Sequence, residues 1–241
     1  MLGVEIYAHT ASEAAFATMA GSLALSAPAA RPLGRRARLR AAAKRMIDIL
    51  GAGALLLLAA PAFLLLALLI RADGGPVLYA HERIGRDGRR FGCLKFRSMV
   101  VDSQARLAAL LQSDPAARAE WERTRKLKDD PRVTRTGRFL RASSLDELPQ
   151  LINVLRGEMS LVGPRPVVAS ELDDHYGEAA RDYLAVRPGV TGLWQISGRS
   201  DTSYATRVAL DSRYARSPSL RTDLKILLRT PLVVLLRRGA Y

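Results

Sequence analysis

Residues 49–70 read ILGAGALLLLAAPAFLLLALLI, 22 positions without a charged side chain. At about 1.5 Å per residue a continuous helix here reaches ~33 Å, enough to cross the hydrocarbon core of a bilayer. The stretch is apolar on every side, which sets it apart from the one-sided helix of a soluble core. Pro61 sits near its middle, lacks an N–H and crowds the carbonyl four residues back, so a kink or break is expected there. Arg31, Arg35, Arg36, Arg38, Arg40, Lys44 and Arg45 precede the run, with no acid among residues 31–45, and Arg71, Arg83, Arg86, Arg89 and Arg90 follow it. Basic flanks favour the cytoplasmic side, and here both flanks are basic. A helix that enters, bends at Pro61 and returns satisfies both ends, so the expectation is a re-entrant helical hairpin over residues 44–75. The run lies too far from Met1 for a cleavable signal peptide. Residues 1–43 read as a basic, mobile tail facing the membrane.

Charge extends the same reading. Lys and Arg total 37 against 23 Asp and Glu, a formal net charge of +14. Such a surplus calls for an anionic partner: nucleic acid, an acidic membrane or phosphorylated small molecules. Only 6% of residues are aromatic and no nucleic-acid motif occurs, which excludes the stacking surface that single strands need. Cys93 is the sole cysteine, so an intrachain disulfide and a thiolate metal cluster are both excluded. It sits in an apolar strand pattern as a packed thiol. His9, His81 and His175 are too scattered for a zinc site.

Beyond the apolar run, residues 76–216 read as one compact domain. Residues 76–99 predict a hairpin turning at Arg86-Asp87-Gly88, whose return strand puts Lys95 and Arg97 on one face, either solvated or holding a phosphate. Residues 102–126 predict a polar helix with Leu107, Leu110 and Leu111 as its stripe. Asp129-Asp130-Pro131 reads as a turn, although adjacent acids can also hold a metal. In Arg141-Ala-Ser-Ser-Leu-Asp-Glu-Leu-Pro-Gln150, Ser144 and Glu147 have capping-box spacing, so a helix is expected to start there with Leu148, Leu151, Ile152 and Leu155 as its apolar face. Asp146 and Glu147 would then stabilise the first turn, which is a sufficient structural role. Cations nearby favour a chemical role as well. Arg132, Arg135, Arg138 and Arg141 precede the pair, and Arg165 follows between two prolines that limit its backbone and suit it to a phosphate.

Arg187-Pro-Gly-Val-Thr-Gly-Leu-Trp-Gln-Ile-Ser-Gly-Arg199 adds a glycine-rich loop able to cradle an anion, together with Arg187, Gln195 and Arg199. Asp211, taken alone, reads as a surface acid. From Leu220 the chain is amphipathic: Arg221, Lys225 and Arg229 share one helical face beside Leu220, Leu224 and Leu228, and Pro231 interrupts a second apolar run. Residues 217–241 read either as a helix packed onto the domain or, favoured by the apolar content, as interfacial helices lying in the headgroups of a membrane surface.

In order along the chain, Lys44-Arg-Met-Ile-Asp48, Lys95-Phe-Arg-Ser-Met99, Ser144-Leu-Asp-Glu-Leu-Pro-Gln150, Gly163-Pro-Arg-Pro166, the 187–199 loop and Leu210-Asp-Ser-Arg-Tyr214 resemble the bacterial sugar transferase family, the monotopic phosphoglycosyl transferases. The resemblance covers residues 44–241. It implies an α+β protein: a mostly helical catalytic domain on the cytoplasmic face, with a small β-hairpin. A Pro-broken re-entrant membrane helix and C-terminal interfacial amphipathic helices would anchor it in the bacterial inner membrane. It implies that Asp146 is a nucleophile, that Asp146 and Glu147 hold Mg²⁺, and that hexose-1-phosphate, galactose or glucose, passes from a UDP-sugar to polyprenyl phosphate with loss of UMP. The step opens exopolysaccharide or other surface-glycan assembly. Lys95, Arg97, Arg141 and Arg165 are the candidates to neutralise phosphate, with Arg187, Gln195, Arg199 and Asp211 as further substrate contacts. Partners would be the UDP-sugar, the polyprenyl phosphate and membrane lipids, with no nucleic acid; a homodimer is left open. An N-acetylated amino sugar donor and a non-enzymatic basic membrane anchor are the alternatives. One departure stands out. The family's helix breaks at Ser-Pro, whereas this chain has Ala60-Pro61, which keeps the proline but loses the hydroxyl.

Overall fold

A computed structural model describes residues 6–8, 34–124, 127–198 and 202–236. These residues are mostly helical. A short strand β1 (Ile6–Ala8) pairs in parallel with β2 (Leu78–Ile84), and β2 pairs antiparallel with β3 (Arg90–Phe96). The hairpin turn is where the sequence puts it: Asp87 and Gly88 both take positive φ, 59° and 76°, which suits the twist of the flanking strands.

The apolar run lies in helix α1 (Arg35–Ala72), which starts nine residues before the expected boundary. It is helical without interruption through Pro61, so the expected break is not a gap in the helix. A proline inside a helix removes one ladder hydrogen bond, and the long apolar turns on both sides keep the rest. α1 meets the domain at two places. Ala52 packs into a core with Cys93, Leu151 and Val154, whereas Leu66 and Ile70 pack into a second core with Leu78, Phe96 and Leu140. Leu148 touches both cores. Between these contacts Leu57 and Leu58 are 79% and 80% exposed, an arrangement that only an apolar surrounding makes favourable.

The Lys44–Asp48 motif fastens α1 to the domain. Lys44 donates to the Asp223 carboxylate (2.9 Å) and the Val162 carbonyl (3.1 Å), and Arg45 donates to the Val154 and Leu155 carbonyls (2.6 and 2.9 Å). Buried Asp48 accepts from the Ser160 hydroxyl (2.9 Å) and the Leu161 N–H (3.0 Å). Asp48→Ala strands that N–H in the core, so it should cost about 1–3 kcal/mol and lower the melting temperature of the detergent-solubilised protein by several degrees.

The polar helix expected at 102–126 is two helices, α2 (Ser103–Ser113) and α3 (Pro115–Thr124). Asp114 separates them, its carboxylate accepting from the N–H groups of Ala116 and Ala117, and Pro115 opens α3 at the position that needs no N–H. The Asp129–Asp130 segment is a turn in which Asp130 pairs with Arg132 (2.7 Å).

Helix α4 (Arg135–Ser143) ends at Ser144, which takes φ 58°. A single 3₁₀ turn, Leu145–Glu147, follows, and α5 (Gln150–Arg156) starts only after Pro149. The expected capping box is therefore not formed: Ser144 ends one helix instead of starting the next, and makes no side-chain cap. The apolar face shifts in phase too, with Gln150, Leu151, Asn153 and Val154 buried and Leu155 exposed. Asn153 explains the shift. It donates to the Gly92 carbonyl (2.8 Å) and accepts from the Leu94 N–H (2.9 Å), so it completes the free edge of β3.

Strands β4 (Ser160–Val162) and β5 (Gly189–Thr191) pair in parallel. Helices α6 (Ala169–His175), α7 (Ala180–Leu184) and α8 (Tyr204–Arg216) gather round Val167, Tyr176 and Tyr183 as a third core. Helix α9 (Leu220–Leu235) runs through Pro231, where an interruption was expected. It buries Asp223 and Ile226 and exposes Leu220, Leu224, Leu228 and Leu232.

Candidate active site

The 3₁₀ turn after α4 brings Asp146 and Glu147 over β3. Lys95 Nζ lies 2.8 Å from Glu147 Oε1 and 3.4 Å from Asp146 Oδ2. Arg165 Nη1 lies 3.7 Å from the same Glu147 oxygen. Arg141 Nε donates to the Ser98 hydroxyl (2.9 Å), and its charge is felt at Asp146. Asp146 is only 9% exposed, and burial pushes its carboxyl above the ordinary range, against the pull of Lys95. Burial also disfavours the charged form of Lys95, but Glu147 and Asp146 outweigh it and hold the ammonium above its usual value. The pair is thus one desolvated acid and one half-buried acid, clamped by one lysine and approached by two arginines.

Asp146, Glu147, Lys95, Arg141, Arg165, Arg97 and Gln195 all line one cavity of about 1560 Å³. Typical small-molecule sites occupy ~300–1,000 Å³, so this one has room for more than one reactant. Its walls include Leu55, Leu58 and Ala59 of α1 and Leu227 and Val234 of α9. A charged cluster therefore opens onto the apolar helices.

Other predicted residues part company with the dyad. Arg97 donates to the Ile70 carbonyl (2.9 Å) at the end of α1, and its Nε and Nη1 have no partner. Arg187 donates to the Gly157 carbonyl (2.7 Å), away from the cavity lining. Arg132 is taken by Asp130, and Arg135 and Arg138 are exposed. Arg199 lies outside the described residues. The loop glycines serve backbone packing: a Cβ at Gly163 would collide with the Arg187 carbonyl, and one at Gly189 or Gly192 with the Gly163 backbone. Asp211 is buried rather than on the surface, at 1% exposure. It accepts from the Tyr176 hydroxyl (2.8 Å), and burial raises its carboxyl to about 6. Cys93 is a packed thiol, pushed by burial up to about 11.

Sequence reasoning missed Arg207, Glu171 and Tyr204, which line the same cavity. Arg207 could have been found, since it precedes Asp211 by one helical turn. Glu171 has no local signal.

The resemblance implies magnesium. Asp146 and Glu147 offer hard carboxylate oxygens on adjacent residues, and no cluster of three or more Asp, Glu, His or Cys occurs among the described residues. Such a donor set fits an ion shared with substrate phosphates and water, rather than a closed protein cage.

Most of the chain is similar to known proteins. Residues 39–237 match the family described as bacterial sugar transferase. The chain is 56% identical over 198 residues to a UDP-galactose-lipid carrier transferase of Erwinia amylovora, covering 82% of this chain and 41% of that protein. It is 54% identical over 198 residues to an undecaprenyl-phosphate galactose phosphotransferase of Salmonella typhimurium, with the same coverage. It is 53% identical over 214 residues to the exopolysaccharide production protein ExoY of Rhizobium meliloti, covering 88% of this chain and 92% of ExoY. The chain thus spans about two fifths of the first two relatives and nearly all of the third.

Proposed function

The chain belongs to the bacterial sugar transferase family, and from that premise we propose that it transfers hexose-1-phosphate, galactose or glucose, from a UDP-sugar to undecaprenyl phosphate. The observation that carries the proposal is buried Asp146 beside half-buried Glu147, both clamped by Lys95, with Arg141 and Arg165 nearby, in a cavity walled by apolar helices.

The chemistry follows from charge. A carboxylate attacking a phosphate meets like-charge repulsion, so cations must first take up the charge on the phosphoryl oxygens. Lys95, Arg141 and Arg165 do this here. Mg²⁺, when bound at Asp146 and Glu147, supplies further neutralisation of the same oxygens. An Asp146 oxygen bonds to the sugar-bearing phosphorus, the bond from that phosphorus to the bridging oxygen breaks, and UMP leaves with the electron pair. A phosphate oxygen of the carrier then attacks the same phosphorus and returns Asp146 as a free carboxylate. The product is the polyprenyl diphosphate sugar, the start of exopolysaccharide or other surface-glycan assembly.

The carrier's phosphate lies at headgroup level, so the dyad must work at the bilayer surface. The two contact zones of α1, the bare Leu57–Leu58 segment between them and the basic residues on both flanks support a helix that dips in and returns with a kink at Pro61. The exposed leucines of α9, flanked by Arg221, Lys225 and Arg229, support a helix lying in the headgroups of the cytoplasmic leaflet.

The test is UMP release by the purified protein with undecaprenyl phosphate and Mg²⁺ across a panel of UDP-sugars. UDP-galactose or UDP-glucose should be turned over best, and chelation of the metal should stop the reaction. Turnover confined to N-acetylated amino sugars, or no turnover at all, would reject the assignment. Labelling of the termini in intact cells should leave both protected, and an externally labelled N-terminus would rule out the re-entrant path.

A further inference from the structure

The cavity is electrically uneven along its length. Around the dyad, Lys95, Arg141 and Arg165 outnumber two acids and present only donors to a ligand. Beyond Arg165 the balance changes. In the wall Arg207 lies 4.0 Å from Glu171, so one cation meets one acid, and outside the lining Asp211 lies 3.9 Å from Arg207 and Arg83 3.9 Å from the same Glu171 oxygen. These distances exceed hydrogen-bond length. Arg207 is only 7% exposed, yet its Nε and Nη2 have no partner. Nor do Gln195 Oε1 and the Tyr204 hydroxyl. Buried polar atoms are normally paired, so an unpaired group of donors and acceptors in a cavity wall calls for a ligand that does both.

An ionised phosphate only accepts, so it would leave Gln195 Oε1 unmet and would face Glu171. A neutral polyhydroxyl group donates and accepts at once. We propose that this end of the cavity holds the hexose ring of the donor, with Arg207, Gln195 and Tyr204 reading its hydroxyls; the assignment rests on the nucleotide-sugar reading above. Two observations favour the sugar over the uracil. Arg165 links the compartment to the dyad, 3.7 Å from Glu147 and 5.9 Å from the Trp194 ring centre. The sugar is bonded directly to the phosphorus that must reach Asp146, whereas the base stands off by a second phosphate and a ribose. In addition, the rings here already carry neighbours where a base would stack. Arg207 lies 4.9 Å from both the Trp194 and Tyr204 centres, and His175 lies 4.0 Å from Tyr204.

Tyr204→Phe and Gln195→Ala in the full-length protein test the assignment by UMP release from UDP-galactose and UDP-glucose, with UMP as a competing inhibitor. Each variant should raise KM for the nucleotide sugar about fivefold and shift the galactose-to-glucose ratio of kcat/KM, while leaving inhibition by UMP unchanged. Tyr204→Phe should not lower the melting temperature, because its hydroxyl has no partner to lose. An equal loss of affinity for UMP would give the compartment to the base, and unchanged KM in both variants would show that no substrate group sits there; either overturns the proposal. Failure of the wild-type protein to release UMP from any UDP-hexose would instead reject the transferase reading, and this assignment with it.

Discussion

Asp146→Asn is expected to abolish UMP release and the proposed covalent phosphosugar adduct together, by roughly 10⁴-fold or more, while the protein stays folded. The amide keeps the shape of the carboxyl but is a poor nucleophile, so the loss falls on the chemical step and not on donor binding. Stability should not suffer. Burial raises the folded-state pKa of Asp146 above its unfolded value, so the contribution of this group to stability is present at low pH and lost as pH rises through that folded value. At neutral pH the ionised carboxylate is therefore a cost that asparagine does not carry, and Lys95 keeps Glu147 at 2.8 Å as its partner. The measurements are adduct formation by mass spectrometry after a single turnover with UDP-hexose, and a melting curve. An Asn variant that still forms the adduct would remove the nucleophile assignment.

Lys95→Met should lower kcat/KM by roughly 10²–10³-fold, the usual loss when one preorganised charge donor is removed from a dry site. Lys95 is the cation in contact with both acids, at 2.8 and 3.4 Å. Arg165 stands 3.7 Å from Glu147 alone, and Arg141 donates its Nε to Ser98, so neither replaces it. Without the ammonium two adjacent carboxylates face each other and the incoming phosphate. The loss should appear in the rate of adduct formation at saturating donor, with Lys95→Arg recovering part of it. A Met variant within tenfold of wild type would reduce Lys95 to a structural partner of the dyad.

Several features were legible because they depend on near neighbours in the chain. The 22 uncharged positions announce an apolar helix, and α1 spans them. Asp87-Gly88 announces a hairpin turn, because few other residue pairs accept positive φ in succession, and β2 and β3 pair around it. The ordered motifs point to the family that the comparison shows.

The Ser144–Glu147 spacing misled for a reason that spacing cannot reveal. The same four residues can start a helix or end one, and the choice lies with Asn153, which pins α5 to the edge of β3, and with Pro149 just ahead of α5. That choice lays Asp146 and Glu147 against Lys95, some fifty positions earlier in the chain. Arginines that look alike in the sequence were likewise sorted by their neighbours: Arg165 goes to the dyad, Arg97 and Arg187 to backbone carbonyls, and Arg207 to a buried site with Glu171 and Asp211. Periodicity and charge bias act over one or two turns of backbone and so determined the long apolar helix, the hairpin and the basic character of the chain. The candidate site depends on desolvation and on contacts between distant segments, and these exist only once the chain has closed on itself.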